Sequence, residues 1–421
     1  MDQVQPSVAE VPASPEPISR SDRIGSLDLL RGIAVLGILV MNIQSFSMPE
    51  PAYFNPTVWG DLTGINLAVW AISHVFTELK FMSLFSMLFG AGIVLLCTRL
   101  EERGLRPARI HYRRILFLFL FGVMHAYLLW IGDILVWYSL SGVIAYLFWR
   151  LRPGWLVVWA LAILGIGTMV YLFFQWSMQY WPEEARQGTA VYWSPSAEVL
   201  QQRVETYRSG WLAQMSERVP NAIVMHTFVY LIYGLWRTLG MMLLGMALMK
   251  WGFLSAERSR GFYIKAAAIG LVIGLPLTIW GASQHFAHEW VMEYSQFGGH
   301  LYTYWAAVAI VLAYAALVMI WHQVGRPGSF RTALSRVGRM AFSCYILQTL
   351  ICTTLFYGHG FGLYGMVPRW GQALIVLGVW MIVIVFANWW LRRYRYGPLE
   401  WLWRTLTYGK RQPMNLQATQ R

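Results

Sequence analysis

Long apolar runs, separated by short charged segments, follow one another along nearly the whole chain. A helix needs roughly 20 apolar residues to cross the hydrocarbon core of a bilayer, and about ten runs approach that length. The second run is longer, and Glu78 and Lys80 interrupt it, so we expect this helix to be tilted or broken there. The pattern predicts an all-α membrane bundle of about ten transmembrane helices, at 27–47, 63–98, 113–130, 133–149, 154–175, 222–249, 262–281, 301–321, 338–357 and 370–391.

The composition agrees with a membrane protein. Only 13% of the residues are charged and 57% are hydrophobic, whereas a soluble domain carries about 25% charged residues. The surface of such a chain is too apolar to face water. The three cysteines, Cys97, Cys344 and Cys352, lie in apolar runs, so we interpret them as packing residues rather than a disulfide framework.

The net charge of +13 lies in the short segments between the apolar runs. This distribution argues against a nucleic-acid partner and favours contact with anionic membrane lipid. With the N-terminus inside, 25 of the 33 lysines and arginines fall on the cytoplasmic side and five fall outside. This bias predicts that both termini are cytoplasmic.

One long segment, 176–221, is predicted to lie outside the membrane. It fits either a cap over the outer face or a solvated connector, and the connector is the favoured interpretation. The chain is then divided into a disordered cytoplasmic tail (1–22), a five-helix half (23–175), this external segment, a second five-helix half (222–409) and a cytoplasmic tail (410–421).

Ionisable and polar residues inside a membrane are costly and usually functional. On the first helix, Asp28 and Arg31 are three residues apart and share a face. Asn42 lies eleven residues beyond Arg31, close to three turns, and extends the same stripe. Both a structural ion pair and a ligand-binding stripe fit these residues.

Two histidines are candidate general bases. His74 precedes Glu78 by one turn, with Lys80 two residues further on. His125 lies near the outer end of the third helix, and Asp133 can fold back over it. A histidine beside a carboxylate is also a common structural hydrogen bond, and for either histidine alone that interpretation is favoured.

Arg237 lies near the membrane centre on the sixth helix and needs a polar partner. Glu78, at a similar predicted depth, is the expected one. Ser343, Tyr345 and Gln348 on the ninth helix are expected to form hydrogen bonds between helices. The histidines are too scattered to predict a metal site, and Gly90 and Gly92 favour close helix packing.

The chain resembles the YeiB family of bacterial inner-membrane proteins from about residue 23 to 410. The resemblance rests on 23–32, on FMSLFSMLFGAG at 81–92 and on GDIL at 132–135, and further on WRTLGMMLLGM at 236–246, GRMAFSCYILQ at 338–348 and YGPLEWLWRTLTYG at 396–409. It implies a multi-pass protein of the bacterial inner (cytoplasmic) membrane, and it implies no particular activity.

The opening motif, Ser26-Leu27-Asp28 followed by Arg31-Gly32, is also similar to that of heparan-α-glucosaminide N-acetyltransferases. These membrane enzymes move an acyl group from coenzyme A to a sugar. The chain departs from them in the loop 48–62, which lacks their catalytic histidine and carries Asn55. If the activity is shared, His74 or His125 must replace it.

Two functions therefore follow as hypotheses. In the first, Arg31 and other cytoplasmic arginines bind acyl-coenzyme A, and a histidine activates an envelope glycan or lipid acceptor. In the second, a non-catalytic transporter uses Arg237 and Glu78 as a gating or substrate pair in a central polar cavity. The oligomeric state is left open.

The predicted topology can be tested with reporter fusions. Fusions after Arg106, Arg260 and Arg331 are expected to report a cytoplasmic location, because these residues belong to the lysine- and arginine-rich side. Fusions within 185–215 are expected to report a periplasmic location. A cytoplasmic signal from 185–215 would contradict the topology.

Overall fold

The computed structural model describes residues 24–325 and 328–416. The described residues form helices joined by turns, and their one β contact is an isolated bridge between Tyr394 and Asn415. The all-α prediction is therefore confirmed. The predicted disordered tail, 1–22, lies outside the described residues.

The helices appear at every predicted position, together with shorter ones between them. A π-helical segment, Met225–Gly234, joins α10 to α11. The helices are α1 (Gly25–Ser47), α2 (Pro51–Phe54), α3 (Gly64–Thr77), α4 (Lys80–Glu102), α5 (Pro107–Leu128), α6 (Leu135–Ala145), α7 (Pro153–Ser177), α8 (Glu183–Trp193), α9 (Ala197–Arg208), α10 (Met215–Val224), α11 (Leu235–Lys250), α12 (Arg260–Ala287), α13 (Met292–Ser295), α14 (His300–Gln323), α15 (Ser329–Arg339), α16 (Ala341–Phe356), α17 (Arg369–Trp390) and α18 (Pro398–Tyr408).

Within the described part of the chain, seven helical stretches are long and apolar enough to cross a membrane. An eighth is added if the bent pair α15 and α16 forms one span. The predicted segments α5 and α6 are helical but fall outside this count. Three arginines lie in the first eight residues of α5, and α6 has only 11 residues. The chain is a multi-pass membrane protein, and the count of ten stays a prediction.

The helices alternate between two ends of the bundle. We call the end at which α1 begins the basic end, because the segments rich in lysine and arginine lie there. The helices α4, α11 and α14 end at the basic end, and α5, α7 and α12 begin there. Hydrogen bonds join neighbouring segments at this end. Ser26 Oγ donates to the Leu254 carbonyl at 2.8 Å, and Lys250 Nζ donates to the Leu151 carbonyl at 2.8 Å. The basic end is the one predicted to face the cytoplasm.

The segment 176–221 packs on the opposite end of the bundle. Side-chain hydrogen bonds join its helices α8 and α9 to loops there. Trp193 Nε1 donates to the Trp290 carbonyl at 2.8 Å, and Arg208 Nε donates to the Tyr364 carbonyl at 2.7 Å. These contacts join the segment to the bundle, and its role as a cap or a connector stays a prediction.

The second predicted helix is broken where its apolar run is interrupted. α3 ends at Thr77, α4 begins at Lys80, and Leu79 between them has a φ of 60°. A left-handed backbone at a bulky residue is uncommon and stops the helix. The predicted break is confirmed.

The ninth predicted helix, 338–357, corresponds to α16, and the preceding helix α15 meets α16 at an angle of 85°. α15 carries Arg331, Arg336 and Arg339 and no long apolar run, so the hydropathy pattern does not reveal it. The hydropathy pattern does not reveal α18 either. This helix lies at the basic end, where Trp403 Nε1 donates to the Arg114 carbonyl. Short amphipathic helices of this kind lie along a membrane surface.

The helices α4 and α11 cross with their backbones in close contact. A Cβ added at Gly90 would lie 1.9 Å from the Met242 carbonyl oxygen, and one at Gly245 would lie 2.0 Å from the Met87 carbonyl oxygen. Small residues at these points let the two backbones touch. The predicted packing role is confirmed for Gly90, whereas a Cβ at Gly92 meets nothing within 4 Å.

Gly90→Ala is expected to lower the free energy of unfolding by about 1–3 kcal/mol, because the neighbouring atom is backbone and cannot rotate away. Gly92→Ala is the matched control on the same helix and should change stability little. Thermal unfolding of both variants in detergent measures the difference. Equal stability of the two would contradict the close crossing of α4 and α11.

Candidate functional site

A cavity opens at the basic end and runs into the bundle among α1, α4, α5, α6, α16 and α18. Its volume is about 270 Å³. The lining extends from Ile24 to Ile38 on α1 and from Arg99 to Phe85 on α4, about 20 Å at 1.5 Å per residue. Beyond the mouth, its walls are mainly apolar and include Leu88, Phe89, Ile93, Leu96, Ile115 and Leu118.

Positive charge dominates the mouth of the cavity. Arg31 Nη1 lies 3.2 Å from Asp28 Oδ1, as the spacing on α1 predicted. The Arg114 guanidinium lies 4.4 Å from the centre of the Trp403 ring, which holds it at the opening. In all, five arginines and two carboxylates line the cavity: Arg31, Arg99, Arg114, Arg339, Arg404, Asp28 and Glu400.

Glu400, on α18, fixes the start of α16. Its Oε1 accepts hydrogen bonds from the backbone N–H groups of Phe342 at 2.8 Å and Ser343 at 3.1 Å, and its Oε2 accepts one from Ser343 Oγ. It thereby supplies the cap that α16 lacks in its own sequence. Burial raises the pKa of Glu400, and the hydrogen bonds from Ser343 and Phe342 oppose this.

Tyr138 and Tyr345 line the inner end of the cavity together with Ile134 and Leu135. The Tyr345 ring also packs against the His125 ring, with 5.1 Å between their centres. The cavity therefore ends one aromatic ring away from His125. His125 itself is buried and is not among the lining residues.

His125 is bonded through both ring nitrogens. Nδ1 lies 2.8 Å from Asp133 Oδ1, as the sequence predicted, and Nε2 lies 2.9 Å from Thr349 Oγ1. The second carboxylate oxygen of Asp133 accepts the backbone N–H of Val136 at 2.7 Å and caps α6. Gly122 allows this approach, because a Cβ there would lie 2.7 Å from the Val136 nitrogen.

The contacts of Asp133 select the tautomer of His125. A carboxylate only accepts hydrogen bonds, so Nδ1 must carry the proton. When the ring is neutral, Nε2 is then an acceptor, and the Thr349 hydroxyl donates to it. The order Asp133, His125, Thr349 is that of a carboxylate, a base and a hydroxyl within hydrogen-bond reach.

The other predicted site residues lie elsewhere. His74 is half-buried at the end of α3, and its ring stacks on Trp70. Lys80 is fully buried and donates from Nζ to the His74 carbonyl at 3.1 Å, while Glu78 lies beside Lys80 and Tyr53. None of these three lines the cavity. Asn42 lies beyond Ile38, the last α1 residue of the lining, and does not line the cavity.

The predicted pairing of Arg237 with Glu78 is wrong. Arg237 is fully buried, but its Nε and Nη2 donate to Ser83 Oγ at 3.0 and 2.6 Å, and its Nη1 donates to the Tyr304 carbonyl at 2.7 Å. The helix break explains the change of partner. Glu78 belongs to the end of α3, whereas Ser83, one turn into α4, faces α11.

Three polar residues of α16 form contacts between elements, as predicted. Gln348 Nε2 donates to the Val35 carbonyl of α1 at 3.0 Å, and Tyr345 Oη donates to the Gly132 carbonyl at 3.3 Å. Ser343 contacts Glu400. In the described part of the chain, all three cysteines are buried and unpaired, and no group of three or more potential metal ligands comes together.

Sequence reasoning missed the residues that α5, α16 and α18 bring to the site. Arg114 and Arg404 counted only as cytoplasmic charges, and Thr349 lay unremarked in an apolar run. The segment 396–409 was noted as characteristic of a family, and it carries Trp403, Arg404 and Glu400. A dense polar motif after the last span was the available signal.

Comparison with known proteins finds relatives along almost the entire chain. It is 33% identical to "Uncharacterized protein YxaH" of Bacillus subtilis (strain 168) over 418 residues, 96% of this chain and 98% of that protein. It is 33% identical to "Uncharacterized protein YeiB" of Escherichia coli (strain K12) over 387 residues, 92% and 96% of the two chains. The family model "Protein of unknown function (DUF418)" matches residues 248–410.

Removal of the Glu400 carboxyl tests how α18 holds α16. Glu400→Ala should lower the stability by about 0.5–2 kcal/mol, the usual cost of losing a helix N-cap. Glu400→Gln should cost less, because it keeps one acceptor oxygen. Thermal unfolding measures both, with Glu101→Ala as the control in an exposed ion pair with Arg150. A Glu400→Ala variant as stable as the control would refute the capping role.

Proposed function

We propose one activity for this bacterial membrane protein, which belongs to the family that contains YeiB and YxaH. It binds acyl-coenzyme A from the cytoplasm in the cavity of the basic end and transfers the acyl group to an envelope acceptor. The observation that carries this proposal is the cavity itself, with arginines at its mouth, apolar walls and a histidine beyond its inner end.

The mouth suits the phosphate groups of the donor. Arg31, Arg114 and Arg404 present guanidinium groups, which bind phosphate oxygens through two parallel hydrogen bonds. The positive charge also concentrates anions at the opening. The apolar walls beyond it then receive the uncharged arm of the donor and its acyl group.

The inner end suits the reacting group. The length of the lining, about 20 Å, separates the phosphates at the basic end from the thioester near Tyr138 and Tyr345. His125 lies next to Tyr345, with its basic nitrogen fixed by Asp133. Acyl transfer needs a base within hydrogen-bond reach of the attacking hydroxyl. We therefore assign the base to His125 and leave His74 without a role in the reaction.

The acceptor approaches from the opposite end of the bundle. His125 lies near the end of α5 on that side, where a glycan or lipid of the envelope is available if the basic end is cytoplasmic. Its position between the cavity and that end matches a reaction that joins a cytoplasmic donor to an external acceptor.

Transport is the second candidate, and the broken helix α3–α4 favours it. Discontinuous helices and buried charges are typical of transporter binding sites, and Lys80 and Arg237 lie next to the break. The Arg237–Glu78 pair on which the transport hypothesis first depended is not formed. A His125→Ala variant separates the two functions, because transport through the break does not need this base.

Binding of acyl-coenzyme A tests the donor site. Purified protein in nanodiscs is titrated with radiolabelled acetyl-coenzyme A and palmitoyl-coenzyme A. Arg114→Gln and Arg404→Gln should each weaken binding roughly tenfold or more, because a hydrogen bond to a charged group contributes about 1.5–3 kcal/mol. Added salt should weaken binding by the wild type as well.

Arg393→Gln is the matched control. Its guanidinium also lies over a tryptophan, Trp389, at 5.1 Å, but it does not line the cavity. The control should bind like the wild type. If no saturable binding is found, or if all three variants bind equally well, the donor site is wrong.

A further inference from the structure

Thr349 has the surroundings of an activated nucleophile. Its hydroxyl lies 2.9 Å from His125 Nε2, and the opposite ring nitrogen lies 2.8 Å from a buried carboxylate. In the neutral ring, with its proton held on Nδ1 by Asp133, the Thr349 hydroxyl donates to Nε2. A base that accepts this hydrogen activates the oxygen for attack on a carbonyl carbon.

Thr349 lies close to the inner end of the cavity. It lies one helical turn beyond Tyr345 on α16, about 6 Å along the axis, and Tyr345 lines the inner end of the cavity. On the other side of the array, Trp130 packs between the His125 ring and Phe46 of α1. The array therefore lies directly past the inner end, and the Tyr345 ring separates the two.

The Thr349 hydroxyl makes only a long contact with the backbone of its own helix. Thr349 Oγ1 lies 3.4 Å from the Tyr345 carbonyl, a long contact compared with the 2.7 Å bond of Thr354 to Leu350 on the same helix. A threonine in a helix often donates to the backbone carbonyl four residues before it. Thr349 instead gives its best hydrogen bond to a histidine 224 residues away.

We propose that Thr349 carries the acyl group as a covalent ester during transfer. This inference rests on the acyl transfer proposed above and names its intermediate. The donor is an acyl thioester bound in the cavity. Rotation of the Tyr345 ring, which separates the cavity from Thr349, lets the thioester reach the Thr349 hydroxyl.

The reaction has two balanced halves. Thr349 Oγ gives its proton to His125 Nε2 and forms a bond to the thioester carbonyl carbon. The carbon–sulfur bond breaks, and the thiolate takes the proton from Nε2 and leaves as the thiol. An acceptor hydroxyl then gives its proton to Nε2 and attacks the ester, and Thr349 Oγ leaves with that proton.

Covalent labelling tests the intermediate. The full-length protein in nanodiscs is incubated with radiolabelled acetyl-coenzyme A without an acceptor, and the labelled peptide is identified by mass spectrometry. We expect a hydroxylamine-sensitive acetyl group on residue 349 in the wild type and in Thr349→Ser. The label should fall roughly tenfold or more in Thr349→Val and in His125→Ala.

Thr354→Val is the matched control, because the Thr354 hydroxyl donates to the Leu350 carbonyl of its own helix. It should be labelled like the wild type. A threonine that merely positions His125 would lower the transfer rate when replaced but would never carry the label, so the label distinguishes the two roles. The wild-type result decides the proposal even if Thr349→Val fails to fold.

The outcome separates this inference from the proposed function. Absence of label on Thr349 overturns the covalent intermediate. If coenzyme A is nevertheless released once glucosamine or phosphatidylglycerol vesicles are added, transfer proceeds directly to the acceptor and the proposed function stands. If acyl-coenzyme A does not bind at all, the proposed function fails as well.

Discussion

Inside a bilayer no water is available to polar side chains, and this constraint determines most of the contacts in the bundle. Arg237 is surrounded by protein and is held by the Ser83 hydroxyl and the Tyr304 carbonyl. Arg369 is buried near the opposite end and donates to the Pro56 carbonyl at 2.9 Å. Neutral oxygen acceptors therefore satisfy the donors of these buried guanidinium groups, as is typical of arginines inside a membrane.

Interruptions of helices create the places where polar groups meet. The left-handed residue Leu79 separates α3 from α4, and Lys80 next to it donates a hydrogen bond to the His74 carbonyl. The bend between α15 and α16 leaves backbone N–H groups without partners, and Glu400 of α18 binds them. The bend therefore depends on a residue distant in sequence, whereas the contact beside Leu79 is local. The helix α18 also lines the cavity at the basic end.

The cavity and the Asp133–His125–Thr349 array share one wall. Tyr345 lines the cavity on one side and packs against His125 on the other. The side chains of His125 and Asp133 are almost fully buried, and hydrogen bonds are stronger in such a medium of low dielectric constant. This separation of a charged mouth, an apolar interior and a buried base is the arrangement on which the proposed transfer depends.

The sequence by itself determined the all-α membrane fold, the positions of the long helices and the break at Leu79, because hydropathy and local interruptions act within a single segment. It also determined the Asp28–Arg31 and His125–Asp133 pairs, whose members are close along the chain. Only the tertiary structure decided that Arg237 contacts Ser83, that Glu400 caps α16 and that Thr349 reaches His125. Such partners lie far apart in sequence. Which helix faces meet depends on how the helices pack, and a hydropathy pattern does not distinguish one apolar face from another.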